Sequence, residues 1–123
     1  MSLYVAPSPL HGFGVFTDEP FSSGDPIEEC PVLVIPSPQR ELIDRTVFSG
    51  YYYEWGQGEG ALALGFGSLY NHSYKPTARY DQADRGPVLI ISAIRRISPG
   101  TEITINYNGN PRSRKRLWFD PAG

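Results

Sequence analysis

The chain of 123 residues is long enough for one domain and too short for two. Hydrophobic residues make up 40% and charged residues 20%, which is the ordinary balance of a globular protein with a core of its own. The formal net charge of −2 gives no general electrostatic reason to expect a nucleic acid or an anionic membrane as partner. The single cysteine, Cys30, excludes an intrachain disulfide and a cysteine-rich zinc cluster.

The first residues, MSLYVAPSPLHGFG, lack the basic start and the apolar run of a signal peptide. No apolar stretch approaches the ~20 residues that span a bilayer, so we expect no membrane association. We interpret Cys30 as a small buried thiol and expect a cytoplasmic protein in a reducing compartment. In that setting the Asn-His-Ser triplet at residues 71–73 is not expected to be glycosylated.

The first element in chain order with a clear signal is a short helix within a chain rich in glycine and proline. Ser37 is predicted to cap it and Pro38 to occupy its first position. Leu42, Ile43 and Val47 then form its apolar face, over two or three turns. The aromatic run YYYEW at residues 51–55 follows, and at least one of its tyrosine hydroxyls must meet water, a partner or a ligand.

Strands dominate the rest of the predicted structure. Large and small residues alternate over residues 61–67, which predicts a strand with a bare face open to another backbone or to a ligand. VLIISA at residues 88–93 predicts a buried strand, and SPGT at residues 98–101 a type II turn. TEITINY at residues 101–107 predicts a strand with Tyr107 on its apolar face. The sequence therefore predicts a mostly β domain over residues 1–123.

Three local patterns could carry chemistry, and each also has a purely structural explanation. HGFG at residues 11–14 lacks the third glycine of a dinucleotide fingerprint, but its backbone could still contact a small ligand. Asn71-His72 could be a polar turn, because no nucleophile and positioned acid are visible for a hydrolase. His11 and His72 alone are a poor basis for a metal site. Tyr107 could be a core aromatic residue.

In combination and in order, these patterns resemble the SET domain family. The matching blocks are HGFGVF, the acidic EEC at residues 28–30, LGFGSLYNHS and PGTEITINY, spaced as in the small stand-alone bacterial and viral members. The resemblance implies a β-clip of short sheets, one or two short helices and a C-terminal pseudoknot. It implies a core over residues 10–107 and a tail, residues 108–123, that covers the cofactor. It also implies methyl transfer from S-adenosylmethionine to the ε-amine of a lysine in a protein.

The resemblance carries over to individual residues. It places Tyr107 beside the transferring methyl group and Tyr52, or an adjacent tyrosine, in the lysine channel. No metal is implied. The positions implied to contact the cofactor are His11, Gly12, Phe13, Gly14, Tyr70, Asn71, His72, Tyr107 and Trp118.

Two departures and several questions stay open. Asn106 stands where the family usually has aspartate, and Ile105 stands where an aromatic residue often helps to set the number of methyl groups added. The substrate could be histone-like or ribosomal, with a nuclear or nucleoid location if it is chromatin-like, and the enzyme could be a monomer or a homodimer. A non-catalytic β-rich protein-binding module that retains the fold is one alternative. A methyltransferase acting on small molecules or free amino acids is another.

Overall fold

The computed structural model describes residues 3–121, and within that range nine strands form two sheets. One sheet has the strand order β1-β2-β9-β6 and the other has the order β4-β5-β3-β8-β7. The elements are β1 (Leu3–Pro7), β2 (Phe13–Thr17), β3 (Pro26–Ile35), α1 (Ser37–Ile43), β4 (Tyr53–Glu54), a 3₁₀ turn (Gly56–Gly58), β5 (Gly60–Ala63), β6 (Asn71–His72), β7 (Ala78–Gln82), β8 (Val88–Ala93) and β9 (Glu102–Ile105). The mostly β fold with a short helix is confirmed.

The pairing of β6 with β9 brings the Asn-His pair to the end of the chain's last strand. It is parallel, whereas the other pairings between described strands are antiparallel. Asn71 lies beside Thr104 and His72 beside Ile105. Because β9 ends at Ile105, Tyr107 lies two residues beyond the strand that was predicted to include it, and next to His72. Threading of the tail through a pseudoknot stays a prediction.

The core draws residues from strands of both sheets, and β3 and β8 contribute the most. Ile27, Cys30 and Val32 of β3 are buried, as are Leu89 and Ile91 of β8. The alternation along Val88–Ala93 explains this, since every second side chain of a strand points to the same face. The predicted buried strand and the type II turn are both confirmed: Gly100 has a φ of +82°, and the Thr101 N–H donates to the Ser98 carbonyl at 3.1 Å.

The strand predicted over residues 61–67 is wrong in its second half. It ends at Ala63, and the chain turns where Gly65 adopts a φ of +63°. Its bare face is not open to a ligand either. Ala63 is buried, and Gly67 lies so close to Ala63 and Cys30 that an added Cβ would overlap both. The protein's own interior fills this face.

The helix also differs from its prediction. Pro36, in an extended conformation, precedes the first helical turn, so Ser37 lies inside the helix and makes no side-chain cap. The predicted apolar face is not buried, because the short helix lies on the surface: Leu42 is 59% exposed and Val47 80% exposed. No helix within residues 3–121 is long and apolar enough to cross a membrane.

Candidate active site

A cavity of about 610 Å³ lies between the β1–β2 turn, β6 and the C-terminal tail. The structure brings together seven of the nine residues predicted to contact a cofactor, while Gly14 and Tyr70 are not among the residues that line the cavity. The seven are His11, Gly12, Phe13, Asn71, His72, Tyr107 and Trp118. Phe119, Asp120 and Pro121 extend the wall that the tail provides.

Asn71 fixes the shape of the β1–β2 turn from across the site. Its Nδ2 donates to the carbonyl oxygens of His11 at 3.0 Å and Phe13 at 3.1 Å, and to Glu102 Oε2 at 2.9 Å. Two N–H groups serve three acceptors here, so one of them is shared. The Glu102 carboxylate also accepts a hydrogen bond from Ser8 Oγ at 2.6 Å. Gly14 is required for this packing, because a Cβ there would overlap the Glu102 carboxylate.

His72 is an imidazole with an unpaired donor in the cavity wall. Its Nδ1 accepts a hydrogen bond from the Tyr107 N–H at 3.0 Å. Burial lowers the pKa of His72, so the ring is neutral at pH 7 and its proton lies on Nε2. That nitrogen is buried and has no partner within residues 3–121. A buried polar group without a partner is costly unless a ligand or water satisfies it.

Exposed aromatic rings border the same cavity. Trp118 stacks on Tyr107, with 6.1 Å between ring centroids and 15° between planes, yet it is 70% exposed. Phe13, in the β1–β2 turn, is 63% exposed. The tail that carries Trp118 is held by side-chain hydrogen bonds, from Tyr74 Oη to the Lys115 carbonyl and from Asn106 Nδ2 to the Ser113 carbonyl. The cavity therefore offers apolar surface that a flat ligand could cover.

A second, narrow cavity of about 100 Å³ adjoins the first. The two share the lining residues Gly50, Tyr51, Ser68, Tyr107 and Trp118. The narrow one, which we call the tyrosine channel, is lined by six tyrosines: Tyr51, Tyr52, Tyr53, Tyr70, Tyr80 and Tyr107.

The hydroxyl protons of three channel tyrosines are already engaged by backbone carbonyls. Tyr107 donates to the Tyr70 carbonyl at 2.7 Å, Tyr53 donates to the Gly67 carbonyl at 2.7 Å, and Tyr80 donates to the Tyr107 carbonyl at 3.1 Å. Each oxygen therefore retains acceptor capacity. Burial, with smaller contributions from Tyr51 and Glu102, raises the pKa of Tyr107 to about 12, so this phenol is neutral at pH 7.

The aromatic triplet divides its roles between the channel and the surface. The Tyr52 ring lines the channel, but its hydroxyl donates to Asp44 Oδ1 at 2.8 Å and the Arg40 guanidinium lies 5.1 Å from the ring centroid. Tyr53 is the neighbour whose hydroxyl is bound inside the protein, and burial raises its pKa well above the usual value. The sequence predicted Tyr52 or one of its neighbours for the lysine channel, since a run of three tyrosines gives no signal for which one faces inward.

Glu28 accepts hydrogen bonds from residues in and next to the channel wall, and it was not predicted as a functional residue. Its Oε1 accepts a hydrogen bond from Tyr70 Oη at 2.7 Å, and its Oε2 accepts one from the Phe66 N–H at 3.0 Å. The acidic block at residues 28–30 was the available signal, but nothing in the sequence indicated its partners. Burial, and then the Glu28 charge, raise the pKa of Cys30 to about 12, so this thiol is neutral at pH 7.

Comparisons with known proteins agree with this geometry. The SET domain family model matches residues 12–108. A Schizosaccharomyces pombe protein named histone-lysine N-methyltransferase, H3 lysine-37 specific, is 32% identical over 128 aligned residues, which cover 98% of this chain and 83% of that protein. The crystal structure of a Plasmodium falciparum protein assigned as a histone methyltransferase superposes with a TM-score of 0.71 at 31% identity, covering 89% of this chain and 99% of that one. The chain therefore belongs to the SET domain family of protein-lysine methyltransferases.

Proposed function

We propose that the larger cavity binds S-adenosylmethionine, that the tyrosine channel admits the side chain of a substrate lysine, and that the two meet at Tyr107. One observation carries this proposal: a wide cavity and a narrow aromatic channel adjoin each other, and Tyr107 is among the residues that line both. Transfer of one methyl group to an amine needs two binding spaces of unequal size that share one point.

The residues around the larger cavity fit this cofactor. The buried His72 Nε2–H has no partner within the described chain, and the Asn71 Oδ1 makes no hydrogen bond there either. These groups, with the backbone of the β1–β2 turn, would hold the polar parts of the cofactor. Trp118 and Phe13 would cover its flat apolar parts. Bound in this way, S-adenosylmethionine supplies an electrophilic methyl group on a positively charged sulfonium.

The chain's own residues must deliver a neutral, correctly placed amine. A free lysine with a pKa near 10.4 carries a deprotonation cost of roughly 4.6 kcal/mol at pH 7. Six tyrosines line the channel, and the partial desolvation of an amine that enters it would disfavour the ammonium form. Positioning then contributes most of the rate enhancement, since well-oriented reactants gain roughly 7–11 kcal/mol.

Tyr107 would orient the amine as an acceptor and not as a base. Its proton is donated to the Tyr70 carbonyl, and its high pKa keeps the phenol neutral. The remaining lone pair on its oxygen can accept an N–H from the lysine amine, which leaves the nitrogen lone pair free for transfer. On this proposal Tyr107 is a catalytic residue, and His72 is a cofactor contact with no role as a general base.

For the substrate we propose a lysine in a basic, histone-like protein. The relatives in Schizosaccharomyces pombe and Plasmodium falciparum are both described as acting on histones, which supports this choice. The wall of the tyrosine channel also carries a carboxylate, Glu54, which pairs with Arg40. Its side chain is 79% exposed, so it could also face a cationic segment of the substrate. We further propose a cytoplasmic location, or a nuclear one for a chromatin substrate, which imaging of a fluorescent fusion would test.

The test is the turnover of Tyr107→Phe on a lysine peptide derived from a histone tail. The variant loses the hydroxyl and keeps the ring that stacks on Trp118, so we expect a turnover lower by on the order of a hundredfold with nearly unchanged cofactor affinity. Tyr4→Phe is the matched control, because Tyr4 lies on β1 and stacks on Phe16 away from the site. Activity of Tyr107→Phe equal to that of the wild type would remove Tyr107 from the reaction.

A further inference from the structure

The basic stretch RSRKR of the tail has no part in the site described above. Residues 75–116 hold nine of the eleven lysines and arginines but three of the thirteen acidic residues, a formal balance of +6. The rest of the chain holds two basic and ten acidic residues, a formal balance of −8. The net charge of −2 is thus the sum of a basic segment and an acidic remainder, and by itself it does not exclude a polyanionic partner.

The fold gathers the positive charges around one cleft of about 580 Å³. Five cationic side chains from four segments of the chain line it, and no aspartate or glutamate does. They are Lys75 after β6, Arg79 in β7, Arg95 after β8, and Arg112 and Arg114 in the tail. We call this the basic cleft. It shares no lining residue with the cofactor cavity or the tyrosine channel.

Four of the five cations have no carboxylate partner within residues 3–121. Arg79 pairs with Asp81 at 3.0 Å, and the ion pairs of the described residues involve none of the other four. Hydrogen bonds nevertheless hold these segments together. The Ile94 N–H donates to the Thr77 carbonyl at 3.0 Å, and Tyr74 Oη donates to the Lys115 carbonyl of the tail. Like charges assembled on ordered segments repel one another unless an anion binds between them.

We propose that the basic cleft binds the phosphate backbone of double-stranded DNA without regard to base sequence. Arginine, which supplies four of the five cations, binds phosphate oxygens in bidentate fashion. Lys75, Arg95, Arg112 and Arg114 are exposed, which suits an extended polyanion better than an enclosed small ion.

Other polyanions fit the cleft less well. A single-stranded nucleic acid needs aromatic platforms for its bases. The one aromatic residue of the cleft, Tyr74, packs edge-on against His72 and has donated its hydroxyl proton to the tail. An acidic peptide would need apolar anchor pockets, whereas the apolar residues here are Ile94 and two prolines.

The test is fluorescence anisotropy with a labelled 20-base-pair DNA duplex, without cofactor or lysine peptide, over a range of salt concentrations. We expect the wild type to bind with an affinity that falls steeply as salt is added. The double variant Arg95→Ala/Arg112→Ala should bind at least about tenfold more weakly at 0.1 M salt, and the slope of log affinity against log salt concentration should be smaller by about 2. Arg45→Ala/Arg85→Ala is the control, because it removes the same charge from exposed pairs with Glu41 and Glu29.

Three results would overturn the proposal. One is a wild-type affinity in the cleft variant, and the second is an equal loss in the control, which would show a general charge effect. The third is binding of single-stranded DNA or polyglutamate as tight as that of the duplex. Methylation of a free lysine peptide by the cleft variant should equal that of the wild type, so failure of DNA binding and failure of the proposed enzyme activity are separable.

Discussion

Replacing Asn71 by aspartate tests the clamp that holds the β1–β2 turn. The side chain is 5% exposed and its amide faces three acceptors: the carbonyls of His11 and Phe13 and the Glu102 carboxylate at 2.9 Å. Asn71→Asp keeps the size of the side chain but replaces the donors by a second carboxylate. Two carboxylates at this distance would repel by about 5–6 kcal/mol at an effective dielectric constant of about 20.

The folded variant avoids that repulsion by keeping one proton on the pair. With an unfolded aspartate pKa of ~3.9, holding that proton costs about 4 kcal/mol at pH 7 and about 1.5 kcal/mol at pH 5. The folded-state pKa is raised, so the folded state binds more protons and the penalty shrinks as the pH falls. The lost hydrogen bonds to the two carbonyls add about 1–2 kcal/mol at either pH.

Urea denaturation of the variant and the wild type at pH 7 and pH 5 measures the difference. We expect a destabilisation of about 5–6 kcal/mol at pH 7, enough to unfold a marginal domain, and about 2–3 kcal/mol less at pH 5. Asn110→Asp is the control, because Asn110 is exposed and uses its Oδ1 only to accept the Arg112 N–H. A loss for Asn71→Asp that is equal at both pH values, or below about 1 kcal/mol at pH 7, would refute the clamp.

Two further substitutions test the imidazole and the support behind the channel. Burial lowers the pKa of His72 in the folded state, so below pH ~6.5 the unfolded state binds protons more readily than the folded state. The protein therefore loses up to about 1.4 kcal/mol of stability per pH unit as the pH falls from there towards the folded-state pKa. His72→Asn should flatten the stability profile in that window, whereas His11→Asn, at an exposed position, should leave it unchanged. Glu28→Ala leaves the Tyr70 hydroxyl and a backbone N–H unpaired and should cost about 2–4 kcal/mol, whereas Glu29→Ala breaks an exposed pair and should cost about 0–1 kcal/mol. Thermal and urea unfolding of the four variants measures both effects. A stability that falls with pH as steeply in His72→Asn as in the wild type would contradict the first prediction, and equal losses of stability in Glu28→Ala and Glu29→Ala would contradict the second.

The parts of the fold that were predictable depend on short-range chemistry. The turn at residues 98–101 needs a proline followed by a residue that tolerates positive φ, and Gly100 supplies the latter. The strand Val88–Ala93 is a continuous apolar run, and it lies inside its sheet between β3 and β7. The break after Ala63 was missed, because the alternation of large and small residues continues through residue 67. The chain turns at Gly65, and the Phe66 N–H donates to Glu28, 38 residues away.

The residues of the site could be predicted, but their hydrogen-bond partners could not. The resemblance to the SET domain family predicted that the Asn-His pair, Tyr107 and Trp118 contact the cofactor, and all of them line one cavity. The partners of these residues stayed hidden, because the contacts of Glu102 with Ser8 and Asn71 join segments 94 and 31 residues apart. The basic cleft was hidden for a related reason. A net charge says nothing about where a fold gathers its charges.

The central claim is that one cavity binds S-adenosylmethionine beside Tyr107, and calorimetric titration of the cofactor into the enzyme tests it most directly. We predict one binding site per chain, an affinity that Tyr107→Phe leaves nearly intact, and a weakening of at least about fivefold in Trp118→Ala, which removes the exposed ring over the cavity. A protein that gives no binding heat at any accessible concentration and leaves a panel of lysine peptides unmethylated would be a binding module that retains the SET fold, and the account would be wrong.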